Sequence, residues 1–226
     1  MSAFIGILSL DTRFPRIPGD AGNPVSYHLP ARLRVVAGAG SPDIVRDGRP
    51  APALVARFID AARALEAEGA VLITSTCGFL ITVQAEIAAA VRIPVLLSGL
   101  SLVPLARAMT GGRPVGILTA SRQSLGAAAL AAAGTRAEEV RIAGLEGCAV
   151  FAETFLSAKD RQRDSLDPAQ IGAAVVAAGR ALIAETPEIG ALVLECGNLP
   201  PYAPALRAAL GRPVLSLLDG ARLIAG

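Results

Sequence analysis

The sequence is poor in the residue types on which metal sites and disulfide-bonded folds depend. It contains one histidine (His28), one lysine (Lys159) and three cysteines among 226 residues. Because the cysteines are isolated and His28 stands alone, the chain offers no set of ligands with metal-binding spacing. Three cysteines are also too few for a disulfide scaffold, so we expect free thiols and a reducing, cytoplasmic setting.

Strong charge and long apolar runs are lacking as well. The net charge is +2 and the arginines are scattered, which argues against a nucleic-acid partner. The apolar runs fall short of the roughly 18 residues that a membrane-spanning helix needs. The N-terminus has no basic start, and Asp11 and Arg13 interrupt its short apolar run. We therefore expect neither a signal peptide nor a membrane partner.

What the sequence does have is an alternation of short β-branched or leucine-rich runs with alanine-rich stretches of helical period. Hydrophobic residues make up 53% of the chain and charged residues 18%, which is typical of a compact globular protein. The alternation predicts an α/β fold with parallel sheets covered by helices on both faces. The predicted strands are Phe4–Ser9, Leu33–Ala37, Ala70–Ser75, Pro94–Leu97, Val115–Thr119, Val140–Ala143, Ala191–Glu195 and Pro213–Leu217. The predicted helices are Pro52–Glu68, Leu80–Val91, Leu102–Met109, Arg122–Ala133, Pro168–Glu185, Ala203–Leu210 and a short last helix from Leu218.

The two halves of the chain resemble each other. In each half a predicted strand leads into a Cys-Gly pair, Cys77-Gly78 in the first and Cys196-Gly197 in the second. The run Thr110-Gly-Gly-Arg-Pro114 between them has the composition of a hinge. We therefore predict a first lobe of residues 1–110 plus 212–226 and a second lobe of residues 111–211. The last strand is predicted to return to the first lobe.

A long irregular segment, residues 11–30, follows the first strand. It holds four prolines and two glycines. A loop of this length in a compact protein is usually functional or disordered. Its prolines favour an ordered loop over a site, and the alternative is a surface flap without chemistry.

Small polar side chains gather where predicted strands end. In open α/β sheets, ligands bind beyond the carboxyl ends of the strands. Small hydroxyl and amide groups beside helix starts suit an anion such as a carboxylate, although the same groups also cap helices for structural reasons alone. The four clusters are Asp11-Thr12, Ser75-Thr76-Cys77-Gly78, Thr119-Ala120-Ser121 and Cys196-Gly197-Asn198.

The three cysteines differ in context. Cys148 is interpreted as a small buried hydrophobic residue. Cys77 and Cys196 each follow a strand and precede a glycine and a helix start. A helix N-terminus stabilises a thiolate, so we expect the pKa of both thiols to lie below the ordinary value of about 8.5. Such thiols are suited to general acid and base catalysis.

At these cysteines the sequence resembles the aspartate/glutamate/hydantoin racemase superfamily, which also includes maleate isomerase and arylmalonate decarboxylase. The resemblance lies in TSTCGF around Cys77 and LECGNLPPY around Cys196, and in the runs GILSLD, IPVLLSG, PVGILTAS and PVLSLLDG. It implies two similar flavodoxin-like lobes related by a pseudo-twofold axis, with the active site in the cleft between them. It also implies an enzyme without a cofactor, a small-molecule carboxylate or carbonyl substrate, and a homodimer.

The resemblance implies a function and a set of site residues. The expected function is that of a racemase or epimerase, an isomerase in which Cys77 and Cys196 act as opposed acid and base on a carbon next to a carboxylate or carbonyl. Near-attack contacts on both faces of that carbon put the sulfurs very roughly 6–8 Å apart, too far for a disulfide. The residues expected to contact an amino-acid or hydantoin-like substrate are Asp11, Thr76, Gly78, Phe79, Thr119, Ser121, Gly197 and Asn198.

The residues after each cysteine depart from the pattern of the amino-acid racemases. Gly78-Phe79 and Gly197-Asn198 stand where those enzymes commonly have other pairs. Phe79 either makes the pocket more apolar or packs in the core, and Tyr202 is either a pocket wall or core. Two alternatives therefore stay open: an isomerase or decarboxylase of a small dicarboxylic acid on the same scaffold, and a non-catalytic protein that binds a small acid.

Overall fold

The computed structural model describes residues 3–226, which form two parallel sheets with helices around them. The strands are β1 (Phe4–Ser9), β2 (Ala31–Val35), β3 (Ala70–Ser75), β4 (Val115–Thr119), β5 (Val140–Gly144), β6 (Ala191–Leu194) and β7 (Val214–Leu215). The α-helices are α1 (Ser41–Ile44), α2 (Pro52–Ala67), α3 (Gln84–Ala89), α4 (Val103–Met109), α5 (Ala127–Ala132), α6 (Ala149–Phe151), α7 (Pro168–Glu185), α8 (Ala203–Leu210) and α9 (Leu217–Ala225). The short helical turns include 3₁₀ segments at Pro24–Ser26, Gly78–Val83, Gly99–Leu102, Ala137–Glu139, Lys159–Arg161 and Pro200–Tyr202, and a π-helical turn at Ala152–Leu156.

The two sheets repeat one arrangement. The first has the strand order β2-β1-β3 and the second has the order β5-β4-β6-β7, with all neighbours parallel. In the first sheet Val95 forms a bridge to Ile73 of β3, in the place that β7 occupies beside β6. The predicted α/β fold with two similar parallel-sheet lobes is therefore confirmed, and the predicted strand Pro94–Leu97 is reduced to this bridge.

The last strand does not lie where the sequence analysis placed it. Val214 and Leu215 pair with Leu192 and Val193 of β6, so β7 belongs to the second sheet and the prediction that it returns to the first lobe is wrong. The physical reason is that the free edge of β6 has backbone groups that need a hydrogen-bonding neighbour. β7 pairs with this edge, as the segment around Val95 pairs with β3 in the first sheet. The division of the chain into domains stays a prediction.

The helices that follow these two outer strands are exchanged between the lobes. Helix α4 follows the Val95 bridge yet packs against β4 and β6 of the second sheet. Helix α9 follows β7 yet packs against β3 of the first sheet, with Leu217 and Ala221 buried. This exchange ties the lobes together beside the strands that carry Cys77 and Cys196.

The strands form much of the core and place the cysteines just beyond their carboxyl ends. Every residue of β1, β4 and β6 is buried, as expected for parallel strands covered on both faces. The carboxyl ends of β3 and β6 meet at the junction between the sheets. No helix within residues 3–226 is both long and apolar enough to span a membrane.

Candidate active site

The two Cys-Gly junctions lie against each other. A Cβ atom added to Gly78 would collide with the carbonyl oxygen of Glu195, the residue before Cys196. A Cβ atom added to Gly197 would lie 2.5 Å from the carbonyl oxygen of Thr76, the residue before Cys77. Each glycine is thus required by the close approach of the opposite lobe, and the contact brings both cysteines to one place.

A cavity lies at this junction. The space between its walls is narrow, so the cavity suits only a small substrate. Both cysteines border it, together with residues of the 11–30 loop and of the segment after β5. The lining residues are Leu10, Thr12, Phe14, Arg16, Ser41, Val45, Thr76, Cys77, Phe79, Ala120, Phe155, Leu156, Glu195, Cys196 and Asn198.

Cys77 sits in extended backbone between β3 and the 3₁₀ turn Gly78–Val83. Its N–H donates to Ser75 Oγ at 3.2 Å, and the N–H of Phe79 donates to its sulfur. Burial raises the pKa of the Cys77 thiol, and the negative charge of Glu195 raises it further. The Phe79 N–H and the positive charge of Arg16 act in the opposite direction.

Cys196 has a different electrostatic setting. Its sulfur lies 3.5 Å from Asn198 Oδ1 in donor geometry, an arrangement that favours the neutral thiol. Burial raises the pKa of the Cys196 thiol well above its ordinary value, and negative charge on Glu195, Cys77 and Asp20 adds to the rise. The Asn198 N–H lowers it.

The predicted lowering of the two thiol pKa values is therefore wrong. Each cysteine is buried, and desolvation of the thiolate outweighs the N–H donors at the turn that follows. The turn after Cys77 is a 3₁₀ segment of six residues, and the one near Cys196 begins at Pro200, so neither thiol caps a long α-helix. Both cysteines are free thiols.

Glu195 is the functional candidate that the sequence analysis missed, because it was counted as the last residue of a strand. The strand ends at Leu194, and the Glu195 side chain is buried at the cavity. Thr119 Oγ1 donates to Glu195 Oε2 at 2.8 Å, and the N–H of Ala120 also donates to the carboxylate. Burial outweighs these donors and raises the pKa of Glu195 to about 7. A charged residue between hydrophobic strand residues and a cysteine was the available signal.

The 11–30 loop is ordered and lies over the cavity. Arg16 Nη1 forms a 3.0 Å ion pair with Asp20 Oδ1, and Asp20 Oδ2 accepts a 2.7 Å hydrogen bond from Asn198 Nδ2. The N–H of Gly22 donates to Asp20 Oδ1 as well. Because Asn198 in turn accepts from Cys196, the loop fixes the orientation of the amide beside this thiol. The functional reading of the loop is therefore favoured over a flap without chemistry.

A second segment closes the cavity from the other lobe. The rings of Phe14 and Phe155 meet edge to face, with centroids 4.8 Å apart. Buried Gln162 connects this segment to the 11–30 loop, since its Oε1 accepts the N–H of Arg13 at 3.0 Å. Its Nε2 also donates to Ser41 Oγ at 3.2 Å. The wall of the cavity is thus apolar on the Phe14 and Phe155 side and polar on the cysteine side.

The predicted site residues fall into two groups. Those that border the cavity are Cys77, Cys196, Thr76, Phe79 and Asn198.

Five others lie outside the lining. Gly78 and Gly197 form the contact between the lobes. The hydroxyl of Thr119 is donated to Glu195, and that of Ser121 donates to Ser124 Oγ at 3.0 Å. Asp11 pairs with Lys159 Nζ at 2.5 Å. Their contact with a substrate stays a prediction, and the structure gives each side chain another partner.

Tyr202 is buried against Gly172 of α7, away from the cavity lining. His28 donates to or accepts from no cavity residue, and its Nε2 lies 3.1 Å from the carbonyl oxygen of Ala225. Within residues 3–226, no three His, Cys, Asp or Glu side chains cluster as metal ligands.

The fold is similar to that of a solved double mutant of arylmalonate decarboxylase in a liganded form. The TM-score is 0.61 at 19% sequence identity, and the match covers 100% of this chain and 93% of that chain. At this identity the likeness concerns the fold alone.

Two curated relatives are similar over nearly the whole chain. A dimethylsulfoniopropionate lyase of Durusdinium sp. clade D is 32% identical over 97% of this chain and 73% of its own length. Dimethylsulfoniopropionate lyase 5 of Emiliania huxleyi is 34% identical over 95% of this chain, which spans 43% of that protein.

These relatives correct the function expected from the sequence. Both curated relatives are named as lyases, so the prediction of a racemase or epimerase, and with it the isomerase class, is wrong. The family resemblance pointed to the right scaffold, but members of that scaffold carry out different reactions, and a cysteine pair alone does not distinguish them.

The family itself is established independently of these relatives. A sequence model described as Asp/Glu/hydantoin racemase matches residues 28–225, which include both Cys-Gly junctions and most of both sheets. With the two-lobed parallel fold and the paired cysteines at its junction, this chain belongs to the Asp/Glu/hydantoin racemase family.

Proposed function

We propose that this protein is a lyase that cleaves dimethylsulfoniopropionate into dimethyl sulfide and acrylate. The observation that carries the proposal is the similarity to dimethylsulfoniopropionate lyases over 97% and 95% of the chain. The cavity supports it with a buried thiol as base, hydrogen-bond donors for a carboxylate and an aromatic wall for a cation.

The reaction needs one base and no acid. A base takes a proton from the carbon next to the carboxylate, and the electron pair of that C–H bond becomes the carbon–carbon double bond. The C–S bond breaks at the neighbouring carbon, and its electrons leave with sulfur. Because the sulfonium is positive, dimethyl sulfide departs as a neutral molecule and needs no proton. The products are acrylate, dimethyl sulfide and one proton.

Cys77 is the better placed base of the two thiols. Its sulfur accepts the Phe79 N–H and is favoured as a thiolate by the charge of Arg16. Cys196 instead donates toward Asn198 Oδ1 and is disfavoured as a thiolate by Asp20. A bound sulfonium adds a positive charge near the thiols, which lowers the pKa of the base when the substrate is present.

The two ends of the substrate find complementary surroundings. The hydroxyl of Thr76 accepts the N–H of Leu10 at 3.0 Å, which leaves its own proton for a carboxylate, and Asn198 has a second N–H beyond the one that it gives Asp20. Phe14, Phe79 and Phe155 also border the cavity. A methylated cation over such rings gains about 0.5–2 kcal/mol.

The charge of the cavity fits a zwitterion better than a dicarboxylic acid. Arg16 is the one basic side chain among the lining residues, and its charge is already paired with Asp20. Two substrate carboxylates would meet Glu195 without an unpaired cation to balance them. A substrate with one carboxylate and one sulfonium has no net charge, so it needs no unpaired cation in the cavity.

The experiment is to incubate the purified chain with dimethylsulfoniopropionate and measure dimethyl sulfide in the headspace and acrylate in solution. We expect equal amounts of both products, and none from the Cys77→Ala variant. A dicarboxylic acid that loses carbon dioxide under the same conditions, with no release of dimethyl sulfide, would contradict the proposal.

A further inference from the structure

The proposed elimination leaves a proton inside a buried site. A racemase returns a proton for each one that it removes, whereas this lyase must form a thiolate, use it as a base and then discharge one proton per turnover. Neither thiol is exposed, and the single histidine lies elsewhere. Burial raises the pKa of both thiols, so a nearby group that takes the thiol proton favours formation of the thiolate.

We propose that Glu195 is the proton acceptor for the cavity thiols, taking the thiol proton of Cys77 as substrate binds and releasing it to solvent after the products form. This inference rests on the proposed lyase function. In the first step the Cys77 S–H bond breaks and its electron pair stays on sulfur, and an O–H bond forms on Glu195. The proton passes through one water molecule, because Glu195 Oε1 has no direct hydrogen bond to either thiol. In the second step the thiolate takes the substrate proton and restores the S–H bond, and Glu195 loses its proton to water.

The carboxylate has one oxygen held and one oxygen free. Oε2 accepts the hydroxyl of Thr119 at 2.8 Å. Oε1 is buried and has no hydrogen-bond partner. It points at the backbone directly after Cys77, since a Cβ built on Gly78 would lie 2.5 Å from it. A buried oxygen without a donor costs about 1–3 kcal/mol, so this is the oxygen on which a proton is most favourable.

The charges around Glu195 couple it to both thiols. The titratable and charged side chains that border the cavity with it are Cys77 from the first lobe, Cys196 on its own segment and Arg16 of the loop. Asp20 lies behind Arg16, to which it is ion-paired. Negative charge on Glu195 raises the pKa of each thiol. A proton that moves from a thiol to Glu195 neutralises the carboxylate, so the repulsion that disfavours the thiolate disappears as the thiolate forms.

Glu146 is a matched control for Glu195, since it is a second carboxylate with one buried oxygen that lacks a hydrogen-bond partner. Glu146 also lies after a strand of the second sheet and also has one buried oxygen without a partner, while its other oxygen accepts the N–H of Arg122 at 2.9 Å. It lies outside the cavity lining. Glu146→Gln therefore reports what loss of such a charge does without contact with the thiols.

The first test is the pH profile of kcat/KM for release of dimethyl sulfide. We expect activity of the wild-type chain and of Glu146→Gln to fall as the pH decreases through about 7, where Glu195 becomes protonated. Glu195→Gln loses this inflection and about 100-fold in rate, a typical contribution of general base catalysis. Glu195→Asp keeps the inflection. Thr119→Val moves it to higher pH, because the carboxylate loses a donor. A Glu195→Gln variant with the wild-type rate and inflection would overturn the inference.

The second test needs no turnover, so it separates this inference from the proposed function. In a Cys148→Ala background, alkylation of the cavity thiols by iodoacetamide is followed against pH. We expect Glu195→Gln to shift the alkylation curve to lower pH, since the repelling charge is gone, and Glu146→Gln to leave it in place. If the wild-type chain releases no dimethyl sulfide but this shift is found, the function proposal fails and the coupling stands. If no variant of Glu195 or Thr119 shifts the curve, the coupling is contradicted.

Discussion

The two Cys-Gly junctions share one backbone design and differ in their electrostatics. In each, a parallel strand ends, a cysteine follows, and a glycine packs against the residue that precedes the opposite cysteine. The residue before Cys77 is the neutral Thr76, whereas the residue before Cys196 is the acidic Glu195. Cys196 alone donates to an amide, that of Asn198, which the Arg16–Asp20 pair holds in place.

The difference shows why paired cysteines did not predict the reaction. Racemisation in both directions needs two groups that exchange the roles of acid and base, and such groups benefit from similar surroundings. Elimination of a neutral leaving group needs one base and a route for its proton. The asymmetry between Cys77 and Cys196 suits the second chemistry, on a scaffold whose symmetry suggests the first.

The strongest test of the difference between Cys77 and Cys196 is to replace each cysteine in turn by serine. We expect Cys77→Ser to lower kcat for dimethyl sulfide release by about 1,000-fold or more, because a serine hydroxyl does not ionise near neutral pH. Cys196→Ser, which keeps a donor toward Asn198, should lose about tenfold or less. Steady-state headspace assays measure both. Equal losses, or a greater loss at Cys196, would refute the assignment of the base.

The loop contact beside Cys196 should govern stability more than a surface pair does. In Asp20→Asn the new amide meets the Asn198 amide and no longer neutralises Arg16, whose side chain is 15% exposed. We expect a loss of about 2–3 kcal/mol in the free energy of unfolding, somewhat below that of a fully buried broken pair.

The matched control is Glu138→Gln, which removes the ion pair between Arg136 and Glu138, both largely exposed. It should change the free energy of unfolding by less than about 1 kcal/mol. Urea titrations of the two variants compare the effects, and a loss in Asp20→Asn no greater than in Glu138→Gln would show that the loop contact is not structural.

The backbone contact between the junctions can be tested with single methyl groups. Gly78→Ala and Gly197→Ala each place a Cβ against a carbonyl oxygen of the opposite lobe, so we expect each to cost about 1–3 kcal/mol. Gly147→Ala is the control, since nothing lies within 4 Å of its Cβ position. Thermal unfolding should give a lower Tm for the first two variants alone, and an unchanged Tm would mean that the lobes do not meet there.

The smallest expected effect concerns the aromatic wall. Phe155→Leu keeps the wall apolar but removes the ring face, so KM for dimethylsulfoniopropionate should rise about two- to fivefold, the loss of about 0.5–1 kcal/mol of cation–π attraction. The inhibition constant of 3-(methylthio)propionate, which has the carboxylate but no cation, should not change. A parallel weakening of both ligands would assign Phe155 to packing alone.

The parts of the fold set by local pattern could be predicted from the sequence. Strands such as Val115–Thr119 are continuous apolar runs, and the Cys-Gly pairs mark two equivalent strand ends. The position of β7 could not be predicted, because two residues of strand carry little pattern and their partner is decided by which sheet lacks a neighbour.

The site was predictable only where side chains stand on strand ends. Cys77, Thr76 and Asn198 were predicted and border the cavity. The Arg16–Asp20 pair lies in an irregular loop without periodicity, and its contact with Asn198 joins residues far apart in the chain. The place of Glu195 between a strand and a cysteine is visible in the sequence, but its burial, which changes its pKa, is a property of the assembled lobes.

The most direct test of the account follows deuterium in dimethylsulfoniopropionate labelled at both positions of the carbon next to the carboxylate. If a cavity thiol acts as a base there, the wild-type chain releases dimethyl sulfide more slowly than from unlabelled substrate, and the acrylate formed has lost one deuterium. A single burst of dimethyl sulfide without a deuterium effect, accompanied by a carboxyethyl group bound to Cys77 or Cys196 in the mass spectrum, would show that the thiol attacks carbon instead and would contradict the account.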